Sequence, residues 1–146
     1  MTENLHIDLE IRRLLASYAD AVCRRDSKQW SDTWAEDAQW DMGFRVMSGR
    51  DDIVASWIEM MSNFDGVVHY TLGGSWDLQT PGSICIGRWY VAEHFRPSGG
   101  TAMMMYGYYD DSYVLELGSW KFARRALTGL YQGPPDLSGS FTGFIP

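Results

Sequence analysis

Two side chains with proton chemistry stand in apolar settings in this chain, Asp26 and His69. Ile7, Ile11, Leu14, Tyr18 and Val22 recur at helical spacing, and Asp26 falls one turn after Val22 on the same stripe. A helix carried that far would aim its carboxylate inward. His69 stands inside the apolar run Val67-Val68-His69-Tyr70-Thr71-Leu72. A carboxylate that accepts a hydrogen bond from one imidazole nitrogen fixes the tautomer and leaves the other nitrogen free to take a proton. It also stabilises the imidazolium that forms. Each residue has an ordinary structural use as well. Asp26 with Gln29 three positions on reads as a cap opening a second helix, and a lone histidine in an apolar strand is commonly a satisfied core residue. His94 lies in Arg88-Trp89-Tyr90-Val91-Ala92-Glu93-His94-Phe95. Alternation puts it on one face with Tyr90 and Ala92, opposite Trp89, Val91, Glu93 and Phe95, and one of those faces must meet the helices.

Other chemistries find little support. His6, His69 and His94 make no H-x-H or H-E-x-x-H spacing, and Cys23 and Cys85 make no C-x-x-C, so no metal site is expected. There is no G-x-G-x-x-G, P-loop or G-x-S-x-G pattern, and proton transfer needs no cofactor. The net charge of −7 without a basic stripe disfavours nucleic acid and anionic membrane surfaces. The N-terminal segment carries charges where a signal peptide needs an apolar core, and no apolar run is long enough for a membrane span, so a cytoplasmic location is expected. Aromatics reach 14%, with seven Trp and eight Tyr, more aromatic area than folding 146 residues requires. That excess points to a roomy apolar cavity or a sizeable interface between copies. The run Met103-Met104-Met105-Tyr106 reads as adaptable apolar lining.

The elements that must position these groups can be read from the periodicity. The spacing predicts a helix over about 8–25. A second, short helix carries Trp30 and Trp34 and ends near Glu36-Asp37. Two short strands, AQWDMG and FRVMSG, come next. A third helix opens at Gly49-Arg50-Asp51-Asp52, bears Ile53, Trp57, Met60 and Met61, and stops near Asp65-Gly66. The period then becomes two. GVVHYTLGGSWDLQ, SICIGRWYVAEHFRP, TAMMMYGYYDDSYVLEL and SWKFARRALTGLYQG read as four long strands, with turn chemistry at Pro81-Gly82, Ser98-Gly99-Gly100 and Gly118-Ser119. Helices first and a meander after imply one α+β domain over 1–132 and an extended tail over 133–146. About three helices would pack on the concave face of a curved, cone-shaped antiparallel or mixed sheet.

The helix ending in YADAVCRRDSKQW, the strand VVHYTLGG and the strand pair GYYDDSYVLELGSWKFARR together resemble the SnoaL-like branch of the nuclear-transport-factor-2-like superfamily, an α+β barrel fold, over nearly all of the chain except its tail. The pattern is most similar to its scytalone dehydratase and hexachlorocyclohexane dehydrochlorinase groups. The resemblance implies that Asp26 orients His69, that His94 is a second pocket histidine, and that a strand arginine falls at Arg125, with neighbouring Arg124 a competing assignment. It also implies departures. Met42 stands where a dehydratase has a pocket tyrosine, and Ala21 where other members have a polar residue, with Tyr18 one turn earlier as a substitute. The expected site is Asp26, His69, His94 and Arg125 in a pocket lined by Tyr18, Trp40, Met42, Tyr90, Met105, Tyr106 and Tyr108, with Asp41 a further acid near it. His94, Tyr106 or Tyr108 would donate to a leaving group or oxyanion. The implied activity is a cofactor-independent lyase, dehydratase- or dehydrohalogenase-like, abstracting a proton from a small hydrophobic cyclic substrate. Alternatives within the superfamily are a ketosteroid-isomerase-like or epoxide-hydrolase-like enzyme, and a non-catalytic ligand-binding or scaffold subunit like the small subunit of ring-hydroxylating dioxygenases. A homo-oligomer, dimer or trimer, is expected through the outer face of the sheet.

Overall fold

The computed structural model describes residues 1–80 and 84–143. The expected Pro81-Gly82 turn and the last three residues of the tail lie outside them. The first helix, α1 (Thr2–Arg24), starts earlier than the apolar spacing alone indicated. It buries Ile7, Ile11, Leu14, Leu15, Tyr18, Ala21 and Val22, while Arg12–Asp8, Arg13–Glu10 and Arg24–Asp20 pairs dress the solvent side. It stops because Arg25 turns left-handed at φ 55°, which lets the Asp26 N–H reach back to the Ala21 carbonyl at 3.0 Å.

The next helix, α2 (Ser27–Ser31), is shorter than expected. Its end is set by β-pairing: Phe122 N–H donates to the Thr33 carbonyl at 2.9 Å, so the chain from Trp34 onward is drawn into a strand beside the last one. Trp34 is therefore the first residue of β1 (Trp34–Asp41) and not a helical residue. β2 (Val46–Ser48) follows, then α3 (Arg50–Met61), which ends before Asp65-Gly66 because Phe64 already pairs with Pro97. The four long strands are β3 (Phe64–Thr80), β4 (Ile84–Pro97), β5 (Met103–Glu116) and β6 (Ser119–Gly133).

The six strands lie in the order β2-β1-β6-β5-β4-β3, with every neighbour antiparallel except β1 and β6, which run parallel. The result is an α+β fold with a curved, unclosed mixed sheet. Irregularities in register bend it, for example between Thr71 and Gly73 and between Tyr106 and Gly107. Gly74 has no room for a side chain, because a Cβ there would collide with the backbone of Arg88. On the concave face α1 packs mainly over β3 and β6 and α3 over β1, β2 and β3, with α2 held against α1 and α3. The core between them is aromatic. Trp30 stacks on Trp57 at 4.5 Å between ring centres, and Trp34, Trp40, Tyr18 and Phe122 close around the pair. From Pro134 the chain doubles back along β6. There Gly139 N–H donates to the Tyr131 hydroxyl at 3.0 Å, and Thr142 N–H donates to the Leu130 carbonyl at 2.7 Å.

Candidate active site

Strand parity decides which side chains of β4 reach the interior. Trp89 and Val91 are buried against the helices, so Glu93 and Phe95 continue that inward face. Glu93 lies directly opposite His69 on β3 and Met105 on β5. His69 Nδ1 sits 2.8 Å from Glu93 Oε1, the imidazole N–H donating when the carboxylate is ionised. The two partners differ in exposure, with the His69 side chain at 1% and that of Glu93 at 27%. The backbone of His69 is tied to α1, its N–H donating to Cys23 Sγ at 3.3 Å.

A cavity of about 620 Å³ opens beside this pair. Tyr18, Trp40, Trp57 and Tyr109 are nearly fully buried and form the inner end of its lining, Glu93 also lines it, and Met42, Phe44, Met60, Phe95, Met105 and Leu127 are among the apolar groups of its wall. Glu93 is the only carboxylate among the described lining residues. His69 stands behind it, with its ring 5.4 Å from that of Tyr18 and its Nε2 buried without a partner. The Tyr109 hydroxyl accepts from Trp40 Nε1–H at 3.3 Å and donates to Met42 Sδ at 3.7 Å. Burial pushes both phenols above their ordinary range. For Tyr18 the neighbouring Tyr109 adds to this, and Glu93 adds to it for both, while Arg125 pulls each back. Both hydroxyls therefore stay protonated and able to donate.

Several expected site residues lie elsewhere. The contact between Asp26 and His69 is not formed. Asp26 accepts the Gln29 N–H at 3.0 Å as the cap of α2, and its other oxygen lies 3.6 Å from Arg24. The left-handed turn at Arg25 takes Asp26 off the stripe it would have continued, and it opens instead onto a surface groove shared with Lys28, Gln29 and Trp120. His94 faces outward, exposed, edge-on to Tyr70 at 5.7 Å. Tyr90 is 44% exposed on the same outer face, packed against Tyr108, and Tyr106 lies opposite Ala92 on that face. The parity that turns Glu93 inward turns these four outward. Arg125 is buried but outside the cavity lining, with both its Nε and Nη2 given to Asp111. Arg124 pairs with Asp41 at 3.1 Å, and neither lines the cavity. Tyr18, Trp40, Met42 and Met105 stand in the cavity lining.

Glu93, Tyr109 and Asp111 are the residues that sequence reasoning passed over. All three share the inward parity of an otherwise apolar alternation, Trp89-Val91-Glu93-Phe95 and Tyr109-Asp111-Tyr113, and an acid at such a position is the available signal. Among the described residues, no group of three or more His, Cys, Asp or Glu is arranged to hold a metal ion, and no helix is long and apolar enough to cross a membrane.

Residues 3–126 match the SnoaL-like domain family, and the chain belongs to it. Solved structures with the same fold include a scytalone dehydratase-like protein from Novosphingobium aromaticivorans, with a TM-score of 0.86 and 21% identity over 100% of this chain and 99% of that one. A hexachlorocyclohexane dehydrochlorinase from Novosphingobium barchaimii aligns with a TM-score of 0.82 and 19% identity, covering 99% and 98% of the two chains. An aromatic ring hydroxylase-like protein from Novosphingobium aromaticivorans aligns with a TM-score of 0.79 and 24% identity over 86% and 90%. At such identities the shared property is the fold. No curated protein matches the sequence.

Proposed function

We propose that the chain is a cofactor-independent, lyase-type enzyme that removes a proton from carbon in a small, apolar, cyclic substrate, with Glu93 as the base. The observation that carries this reading is the Glu93–His69 pair, the one carboxylate among the described lining residues of an apolar cavity, held by an imidazole nitrogen at 2.8 Å. His69 fixes one carboxylate oxygen and leaves the other to face the substrate, so His69 acts as a positioning residue. The proton passes from the substrate carbon to Glu93. Tyr18 or Tyr109 donates a hydrogen bond to the leaving group or to an oxygen that gains charge. With a leaving group on the adjacent carbon the outcome is elimination, by loss of water or halide. Without one, reprotonation elsewhere gives isomerisation.

The first step can be tested before the natural substrate is known, by following exchange of the activated carbon-bound protons of 2-tetralone with deuterium in D2O by NMR. Glu93→Gln is expected to slow the protein-dependent exchange by about 10²–10⁴-fold, the usual contribution of a positioned base, while thermal unfolding stays cooperative. His69→Ala is expected to slow it by less, because the base itself survives. Wild-type exchange rates in folded Glu93→Gln would remove Glu93 from the mechanism.

The outer face of the sheet presents Val68, Tyr70, Leu72, Ile84, Ile86 and Tyr90, all more than 40% exposed. This supports a homo-oligomer in which that face is covered by further copies.

A further inference from the structure

One buried charged group has no part in the mechanism so far. Arg125 and Asp111 lie opposite each other on β6 and β5 with both side chains fully buried. Arg125 Nε donates to Asp111 Oδ1 at 2.8 Å and Nη2 to Oδ2 at 3.1 Å, and the Tyr113 hydroxyl donates to Oδ2 at 2.9 Å. A buried pair of this kind rarely exceeds apolar side chains of the same volume in stability, so stability alone does not account for it. The geometry of the remaining guanidinium surface is informative. Asp111 occupies one edge, Nη1 is buried without a partner, and Cζ lies over three rings, 3.9 Å from the centre of Tyr109, 4.2 Å from that of Phe122 and 4.5 Å from that of Tyr18. Tyr109 and Tyr18 are the tyrosines at the inner end of the cavity beside Glu93.

We propose that the Arg125–Asp111 pair is a positioning device for the Tyr18–Tyr109 hydroxyl pair, one that sets positive charge behind two phenol donors and makes the inner end of the cavity an oxyanion site. The ligand is then a cyclic molecule with a carbonyl or acidic hydroxyl oxygen at that end, not a bare or halogenated hydrocarbon ring, for which the donors would have nothing to hold. This deepens the reading above and rests on it for the identity of the proton acceptor. The charge balance is simple. The proton leaves carbon for Glu93, and the C–H electron pair passes into the carbonyl as an enolate whose oxygen accepts from the two phenols. No oxidant or reductant is needed. Arg125 and Glu93 act on both phenols in opposite senses. Once Glu93 is protonated its opposing charge is gone, and the pull of Arg125 makes the hydroxyls stronger donors as the oxygen becomes negative.

The test is a binding measurement that needs no turnover. The probes are 4-nitrophenolate, read by its colour, and nitrobenzene, of similar shape but without the hydroxyl. Glu93→Gln serves as the background because it mimics the protonated base. Adding Arg125→Met with Asp111→Asn, which removes both charges and keeps an acceptor for Tyr113, is expected to weaken 4-nitrophenolate by about tenfold to a hundredfold. Nitrobenzene should change by less than about twofold, since it offers no full charge to the guanidinium. Tyr109→Phe in the same background should weaken the phenolate selectively too. Arg125→Lys, which keeps the charge, should retain the phenolate preference and covers the case in which the double change does not fold. Equal losses for both probes, no loss of the phenolate, or a folded Arg125→Lys without preference would each overturn the proposal. Failure of the base reading shows separately, as undiminished 2-tetralone exchange in Glu93→Gln.

Discussion

Asp26 separates the two arrangements of carboxylate and imidazole most sharply, because one substitution keeps its structural role and removes its charge. In the structure its carboxylate caps α2 through the Gln29 N–H at 3.0 Å, with a side chain 36% exposed and Arg24 at 3.6 Å. Asparagine caps helices about as well as aspartate, so Asp26→Asn should leave stability nearly unchanged. The contact with Arg24 adds little, since an exposed pair is worth a fraction of a kcal/mol at about 0.2–1. Asp26→Ala loses the cap and should cost about 1 kcal/mol, lowering the melting temperature by roughly 2–4 °C for a domain of this size. Neither change touches Glu93 or His69, so both variants should exchange 2-tetralone protons at the wild-type rate below their melting points. Calorimetry and NMR exchange on the two variants, with Glu93→Gln beside them, complete the assay. A stable Asp26→Asn that has lost exchange as fully as Glu93→Gln would refute the reasoning. It would mean that Asp26 reaches His69 during catalysis and that the cap is a resting contact.

Two further outcomes follow from the same geometry. Asp8 accepts from Arg12 and, at 2.8 Å, from Trp76 Nε1, and these bonds hold its carboxyl below the ordinary value of 3.8. A depressed folded value means that the stabilisation is complete above the ordinary value and is lost as pH falls below it through the folded one. The difference in denaturant midpoint between wild type and Asp8→Asn should be constant at neutral pH and vanish in that acid window, whereas a difference growing toward acid would contradict the assignment. If the outer face is an interface between copies, as proposed, Ile86→Lys combined with Tyr90→Lys should give a folded monomer by light scattering where the wild type gives an oligomer. A monomeric wild type would dispose of that interface.

The parts of the fold that came through in the sequence are those where one period runs long enough to outvote its neighbours. The stripe of α1 from Ile7 to Val22 and the four alternating strands after Gly66 are of this kind, and both are present as read. The failures lie where a non-local partner decides. Trp34 has helical spacing from Trp30, but β6 claims its backbone, and nothing near it in sequence announces a parallel partner about 90 residues later. The site divides in the same way. Burial of His69 is legible from its apolar strand, but the helix stripe points to Asp26 as its partner, and the left-handed turn at Arg25 that rotates Asp26 away leaves no mark in the spacing. Glu93 was two positions from Val91 in a strand whose parity was already known. Only the choice of face was missing, and that choice belongs to the register between β3 and β4. One rule would have sufficed: once Trp89 and Val91 are taken as the helix-facing residues, an acid continuing their alternation must be buried with a partner, and the inward residue opposite it is His69. The same rule applied to β5 finds Asp111 between Tyr109 and Tyr113 and demands a cation, which Arg125 supplies from the inward face of β6. An inward acid on an alternating strand is thus a stronger pointer to this site than the histidine that first drew attention, because the desolvation of a carboxylate has to be answered by a specific neighbour and that of a neutral imidazole does not.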